Sequence, residues 1–463
     1  MADLKNVLLK ITHLHRANSF CTSAALIFTT LMLMVPAATT VATAQTYTDL
    51  FNFDGTDGAY PQGLFAQGQD GNLYGTTSDG GANGTGVVFR VTPGGKQDVV
   101  YNFDGVHGST SFAGLTLGTD GNFYGTTYEG GAHSNGTIFK ITPRGKLTTL
   151  YSFTYPTDGL PLAAPIQGTD GNFYGTTQQG NAYKITPGGT YTLLGSIPGA
   201  SAAPLLQAAG GNFYGTTYYG GSNNVGTVFK MTPKGTVTIV YNFDGVHGVS
   251  PRAPLIQARN GNFYGTTTGG GHKGEGVLFK LSARGVITVL HTFHGNDGAS
   301  PSAGLVQATD GNFYGVTAYG GTAGNGVIFR ITPSGAYSIL YNLDWASGGY
   351  VSSTPMQHTD GKLYGVSAGG TYEDGVVYSM DLGLGPFVKT LPTSGKVSKA
   401  VGILGEGLTG TSSVSFNGTP ATFTIASDTY LKTTVPSGAT TGFVTVTTPG
   451  GTLKSNQEFR VKP

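Results

Sequence analysis

Aspartate recurs at one fixed place in this chain. Asp70, Asp120, Asp170, Asp310 and Asp360 each precede a glycine in near-copies of Asp120-Gly-Asn-Phe-Tyr-Gly-Thr-Thr127. Carboxylates on a repeated frame are the raw material of an acid–base or cation-binding ring. Two other copies argue against that chemistry, because they carry Gly210 and Asn260 at the same place. Asp-Gly, Asn-Gly and Gly-Gly are the pairs a two-residue type I′ turn accepts, since both central residues need positive φ. The position predicts a turn chosen for backbone conformation and not for charge.

The Phe-Asp-Gly turn at Asp54, Asp104 and Asp244 poses the same question for Ca²⁺. Calcium takes six to eight oxygens, several from carboxylates. Only the first copy has two acids close together, Asp54 and Asp57, and two other copies have Thr154 or His294 in place of the first Asp. A side-chain-capped turn is the preferred expectation, with Ca²⁺ at Asp54 and Asp57 as the alternative. His107 and His247 occupy one place in two repeats, and His133 and His272 lie in glycine-rich loops. None has the spacing of a metal motif, so isolated surface imidazoles are expected. The sequence has no Walker A loop or His-Glu-x-x-His motif, and its Gly-x-Gly pairs lie in β-turns with no helix after them. The balance is against an enzyme.

Behind these residues stands a repeat. The turn glycines are Gly71, Gly121, Gly171, Gly211, Gly261, Gly311 and Gly361, spaced by 50 residues apart from one interval of 40. In the second copy, Phe112 to Leu117, Asn122 to Thr127, Gly136 to Thr142 and Lys146 to Phe153 are short strand-like runs, separated by Gly, Pro and Asx punctuation. They are named strands A to D. Four strands in roughly 40–50 residues is the pattern of a propeller blade. The seventh copy has no D run after Met380, and a spare one, Tyr47 to Phe53, opens the repeat region. Pairing the two would close the ring and cover an open sheet edge. The third copy is ten residues short, so it is expected to be the least regular.

Composition sets the boundaries. Charged residues are 11% and the net charge is +1, which gives no basic stripe for nucleic acid. Residues 1–44 read as a signal peptide, with Lys5, Lys10 and Arg16, the apolar run Ala24 to Val35, and a small-x-small site at Ala42-Thr43-Ala44. The single cysteine, Cys21, lies before that run, so the exported chain would have no disulfide. The expected fold is all-β: a seven-bladed propeller over 45–381 closed by the N-terminal strand, a linker at 382–385, and a small Ig-like β-sandwich over 386–463. No transmembrane segment is expected in the exported chain, and a monomer is the default.

Two resemblances follow from these residues. The runs DGNFYGTT, GTVFKITP and LYNFDG resemble the GloVer tandem repeat of bacterial choice-of-anchor exported proteins. Gly405-Glu-Gly-Leu408, Ser413 to Gly418, Val435-Pro436, Gly442 to Thr447 and Pro449-Gly-Gly451 resemble an IPT/TIG immunoglobulin-like domain. The resemblance implies export and a spacer or interaction module, and supplies no catalytic residue.

Function is therefore expected in the loops. With strand A innermost, the D–A and B–C loops share one face, which gathers Tyr128, Glu129, His133, Tyr218, Tyr219, His272, Glu275, Tyr319, Tyr372 and Glu373. Variable aromatic loops on a rigid ring suit binding of a glycan or a protein surface outside the cell or at it. The alternatives are a glycan-active hydrolase or lyase at the channel mouth, and a purely structural surface repeat.

Overall fold

Short runs that alternate apolar with polar or small residues cannot satisfy their backbone groups alone, so they pair into sheets. The computed structural model describes residues 45–351 and 353–463, and within these it contains strands and no helix. The leader expected over residues 1–44 lies outside the described residues, as does Cys21. Among the described residues no helix is long and apolar enough to cross a membrane.

The repeats form four-stranded antiparallel sheets, counted here one to seven. In sheet two, strand A is Thr116–Leu117, B is Phe123–Thr127, C is Thr137–Ile141 and D is Leu147–Ser152. Sheet seven takes its first three strands from Met356–Gln357, Leu363–Ser367 and Val376–Asp381. Its fourth strand is Thr46–Asn52, from the other end of the chain, which runs antiparallel to strand C with Thr46 opposite Asp381 and Asn52 opposite Val376. Tyr47 on that strand stacks on Tyr341 of sheet six at 4.2 Å between centroids and lies beside Tyr378 of sheet seven.

Strand A is shorter than its sequence suggests. Outside sheet one only two residues of each A run enter the ladder. The segment leans instead on its neighbour: Leu115 N donates to Leu64 O at 3.2 Å. Gly63 and Gly114 permit that approach, since a Cβ on Gly63 would lie 1.9 Å from the Gly114 nitrogen.

Consecutive sheets share apolar cores. Tyr74 stacks on Phe123, Tyr124 on Phe173, Tyr174 on Phe213, Tyr214 on Phe263 and Tyr264 on Phe313, with centroids 3.7–4.3 Å apart. Sheet seven packs on sheet one in the same manner, through Tyr364, Val366 and Val377 against Leu73, Val87 and Phe89. The glycine after each strand-B tyrosine makes room for the strand-C ring, because a Cβ on Gly125 would lie 2.6 Å from Phe139 Cζ. A glutamine clamp adds a polar tie. The side-chain oxygens of Gln167, Gln207, Gln257, Gln307 and Gln357 accept from a backbone N–H of the preceding sheet at 2.7–3.2 Å. Their amide nitrogens donate to a turn glycine of their own sheet.

The A–B turn differs from the expected type I′ form. Gly71 has φ of 77°, but Asp70 is not in the left-handed region, nor is Gly210 in the copy without Asp. Gly71 N bonds to Gly68 O and Gly68 N to Asn72 O, which makes a three-residue loop with the glycine at the bulge. The carboxylate has work beyond the turn. Asp120 accepts from the side chain of Asn122 at 2.7 Å and from the Tyr124 hydroxyl at 2.8 Å, and Asp70, Asp170 and Asp310 repeat this pattern. Asn260 keeps the tyrosine bond at 2.8 Å. The turn-plus-anchor role explains why Asn substitutes for Asp. The type I′ geometry does occur at Asn417-Gly418, where φ is 46° and 87°.

The short third copy keeps all four strands and the C–D bulge of the other sheets. Residues after Leu382 form two further sheets around one core that includes Val401, Ile403, Leu431, Val414, Phe416, Val444 and Phe459. The described residues make one compact unit. The C-terminal region meets the repeats at their A–B turns: Thr429 Oγ1 donates to Gln69 O at 2.8 Å, Thr359 Oγ1 to Glu406 Oε1 at 2.8 Å, and Arg259 Nη2 to Asn456 O at 2.8 Å.

Candidate binding site

The opposite end of the sheets carries the D–A and B–C loops, and hydrogen bonds join the two kinds of loop. Ser109 pairs with Glu129, Val249 with Gly269 and Ala299 with Tyr319. The Gly-Gly pairs seat one loop on the other: Gly131 N donates to Gly105 O at 2.8 Å, and a Cβ on Gly130 would lie 2.5 Å from that carbonyl.

A second tie runs from sheet to sheet. Tyr60, Thr110, Leu160, Ser250, Ser300 and Tyr350 all have φ between 51° and 66°. Each donates its N–H to the B–C loop of the preceding sheet, at 2.7–3.2 Å, and Tyr60 reaches Asp374 of sheet seven. A left-handed conformation in a bulky residue is a genuine outlier that persists only where surroundings hold it. Sheet four lacks this bond, because the B–C loop of sheet three is the shortened one.

The ten expected residues fall into distinct settings. Glu129, His133, His272, Tyr372 and Glu373 are exposed, and Glu275 is half-buried with its carbonyl bound to Ser300 N. Tyr218 is only 4% exposed. It cannot present its face, because Arg252 lies over its ring at 4.5 Å and Tyr219 packs beside it. The Tyr128 hydroxyl donates to Gln178 Oε1 at 3.1 Å, and Gln178 Nε2 donates to the Tyr218 hydroxyl at 3.2 Å. These three side chains form a polar relay across sheets two, three and four. Tyr219 remains exposed beside it.

Tyr319 has partners that the sequence reading did not single out. Its ring meets Tyr350 edge-on at 4.8 Å, and Tyr350 meets Trp345 edge-on at 5.4 Å. The three rings are 48%, 38% and 38% exposed in that order. Trp345 is the only tryptophan of the chain and stands where four other repeats have the turn glycines Gly55, Gly105, Gly245 and Gly295. That substitution was the available signal. The Trp345 carbonyl accepts from Gly370 N at 2.9 Å, and a Cβ on Gly349 would lie 3.3 Å from the indole. The corner thus rests on glycine backbone on one side and a strained tyrosine on the other.

The histidines of the D–A turns are not isolated. His107 Nδ1 is 2.7 Å from Asp104 Oδ2, and His247 repeats this with Asp244. His291 and His294 both approach Asp297, at 3.1 and 3.5 Å. Burial raises the Asp104 and Asp244 carboxyls, but hydrogen bonds from the histidines outweigh it and leave both below the usual range. Asp54 accepts from the Thr56 N–H and hydroxyl, and Asp57 accepts from Asp54 N, so this turn caps itself. Among the described residues no three His, Cys, Asp or Glu side chains cluster as metal ligands would.

A cavity of 430 Å³ lies where the A runs converge, and residues from all seven sheets line it. No carboxylate is among them, and Arg252 is the one charged side chain in its lining.

The model of the Gloeobacter/Verrucomicrobia repeat matches residues 37–191 and 199–419. No curated protein matches the chain. Among solved structures, the extracellular domain of a hybrid two-component system from B. thetaiotaomicron is similar in fold. It has TM-score 0.50 and 12% identity, over 90% of this chain and 58% of that one. The WD40 propeller domain of Doa1 gives TM-score 0.49 at 12% identity, over 72% of this chain and 97% of that one. A protein described as a gluconolactonase gives 0.41 at 14% identity, over 74% of this chain and 94% of that one.

Proposed function

The chain belongs to the Gloeobacter/Verrucomicrobia repeat family, and on that footing we propose that it is an exported, non-catalytic propeller that binds a glycan through its loop face. In this reading the repeated sheets are seven blades around a closed ring, and residues 386–463 are an Ig-like module of the IPT/TIG kind. Support for the ring comes from the pairing of Thr46–Asn52 with Val376–Asp381 and from the shared core of sheets seven and one. Support for export is the leader-like composition of residues 1–44.

The corner of Tyr319, Trp345 and Tyr350 carries the binding proposal. Large exposed aromatics in contact are the informative exception on a protein surface. Tyr and Trp supply wide contact area at small entropic cost, and they dominate recognition hot spots. Rings set at 80° and 76° to one another make a notch and not a flat patch. A notch suits the stacking of a sugar ring better than a broad protein face. The C-terminal module contacts the repeats at the A–B turns, so its contacts leave the loop face free.

A hydrolase or lyase at the channel mouth needs placed acids, and glycosidases use a pair of carboxylates. The residues lining the cavity offer none. The test is a glycan array with the purified protein, alongside reducing-sugar release from the polysaccharides it binds. Binding without release is expected. Release would overturn the non-catalytic reading, and binding of no glycan would leave a structural repeat.

A further inference from the structure

The axial cavity breaks the symmetry of the repeats at one position. The residue at its mouth is Gln62 in sheet one, Phe112 in sheet two, Leu162 in three, Ala202 in four, Arg252 in five and Ser302 in six. The next residue is small in every sheet: Gly63, Ala113, Ala163, Ala203, Ala253, Ala303 and Ser353. Strand-B threonines of the preceding sheet hold four of these small residues in place, Ala113, Ala163, Ala253 and Ala303. Thr126 Oγ1 donates to Ala163 O at 3.2 Å, Thr216 to Ala253 O at 3.1 Å and Thr266 to Ala303 O at 2.9 Å. A frame of small residues, four of them pinned by a strand-B threonine of the preceding sheet, thus presents a different side chain from each of sheets one to six into a shared space.

Those side chains are sorted by chemistry. Phe112, Leu162 and Ala202 are consecutive and make an apolar wall, while Arg252 and Ser302 follow as a polar one. Among the described residues Arg252 has no carboxylate within ion-pair distance. Its guanidinium is fixed over the Tyr218 ring, and Tyr218 is held in turn by the Gln178 and Tyr128 relay. An unpaired guanidinium is a fork that fits a carboxylate with two parallel hydrogen bonds. The volume falls in the range of small-molecule sites, about 300–1,000 Å³.

We propose that the axial cavity is a second binding site, for a small organic monocarboxylate with an apolar body. The carboxylate lies on Arg252, and the apolar body lies along Phe112 and Leu162. The site is independent of the aromatic corner and of glycan binding there.

Calorimetric titration of the intact protein with cinnamate and with octanoate tests this, with cinnamyl alcohol as the neutral match. Saturable binding of at least one acid is expected, with the alcohol weaker by about tenfold or more, since charge-assisted hydrogen bonds are roughly twice as strong as neutral ones. Arg252→Met should bring the acid down to the level of the alcohol. Leu162→Trp should block both ligands by filling the cavity, whereas Trp345→Ala should leave both affinities unchanged. A preference for cinnamate or for octanoate identifies an aromatic or an alkyl body. Failure of both acids to bind, or acid binding that Arg252→Met leaves intact in a folded variant, overturns the proposal.

Discussion

Tyr183 and Tyr378 occupy a strand-C position that is Phe89, Phe139, Phe229, Phe279 or Phe329 in the other sheets. Both hydroxyls are buried without a hydrogen-bond partner, and burial pushes both phenols far above their usual range. An unsatisfied buried hydroxyl costs about 1–3 kcal/mol. Tyr183→Phe should therefore raise stability by about 1 kcal/mol in chemical denaturation, and a loss of stability would show that the hydroxyl is satisfied. Lys389 makes the reverse point about charge. Its ammonium donates to Gln67 Oε1 at 3.3 Å and to the Gln357 carbonyl, and burial pulls its pKa down to about 8 against the opposing pull of Asp360. Between pH 8 and the ordinary lysine value the unfolded chain holds the proton that the folded chain has lost, so stability rises with pH in that window. Melting temperatures from pH 7 to 10 should show this rise, and Lys389→Met should remove it. Equal pH profiles for the two proteins would contradict the burial. The Asp of the A–B turn was legible in sequence as a turn residue, because Gly and Asn replace it. Its hydrogen bond to the tyrosine four residues on was hidden, since the Asp and the tyrosine are both part of a motif copied whole.

At the scale of elements, strands B, C and D were legible from alternation and punctuation, because each keeps one face against an inter-sheet core. Strand A was not. Its apolar run reads as a ladder strand, but close backbone contact with the neighbouring sheet accompanies its loss of regular pairing. The glutamine clamps were equally hidden, because a glutamine at the end of a strand carries no sign that its partner is 48 residues back. The terminal strand Thr46–Asn52 was legible through its match to the D runs. It covers the free edge of Val376–Asp381 and brings Tyr47 between sheets six and seven. Removing residues 45–52 should lower the melting temperature by ten degrees or so, since losses of several kcal/mol translate to a few degrees each in a domain of this size. It should also promote self-association through the exposed edge. An unchanged melt would rule out the strand as a fastener.

For the whole molecule, repetition made the frame readable and concealed the site. Comparing copies separates what the turn and the core demand from what varies, and it drew attention to the B–C loops. The D–A loops hold the other half of the aromatic corner. Trp345 and Tyr350 sit where a short turn sequence is otherwise repeated, and only the fold brings them against Tyr319. The A runs likewise look alike until their mouth residues are placed around one cavity. The proposed sugar receptor rests on this frame, with a module at its A–B turns and aromatics at the far face. Since Trp345 is the only tryptophan, its emission reports on the corner alone. Titrating the intact protein with the strongest array ligand while following tryptophan fluorescence is the most direct test. A saturable shift in emission with the same midpoint as calorimetric binding, and at least a tenfold loss of affinity in a folded Trp345→Ala variant, is the predicted result. Calorimetric binding that leaves the emission unmoved and survives Trp345→Ala would place the glycan elsewhere and contradict the account.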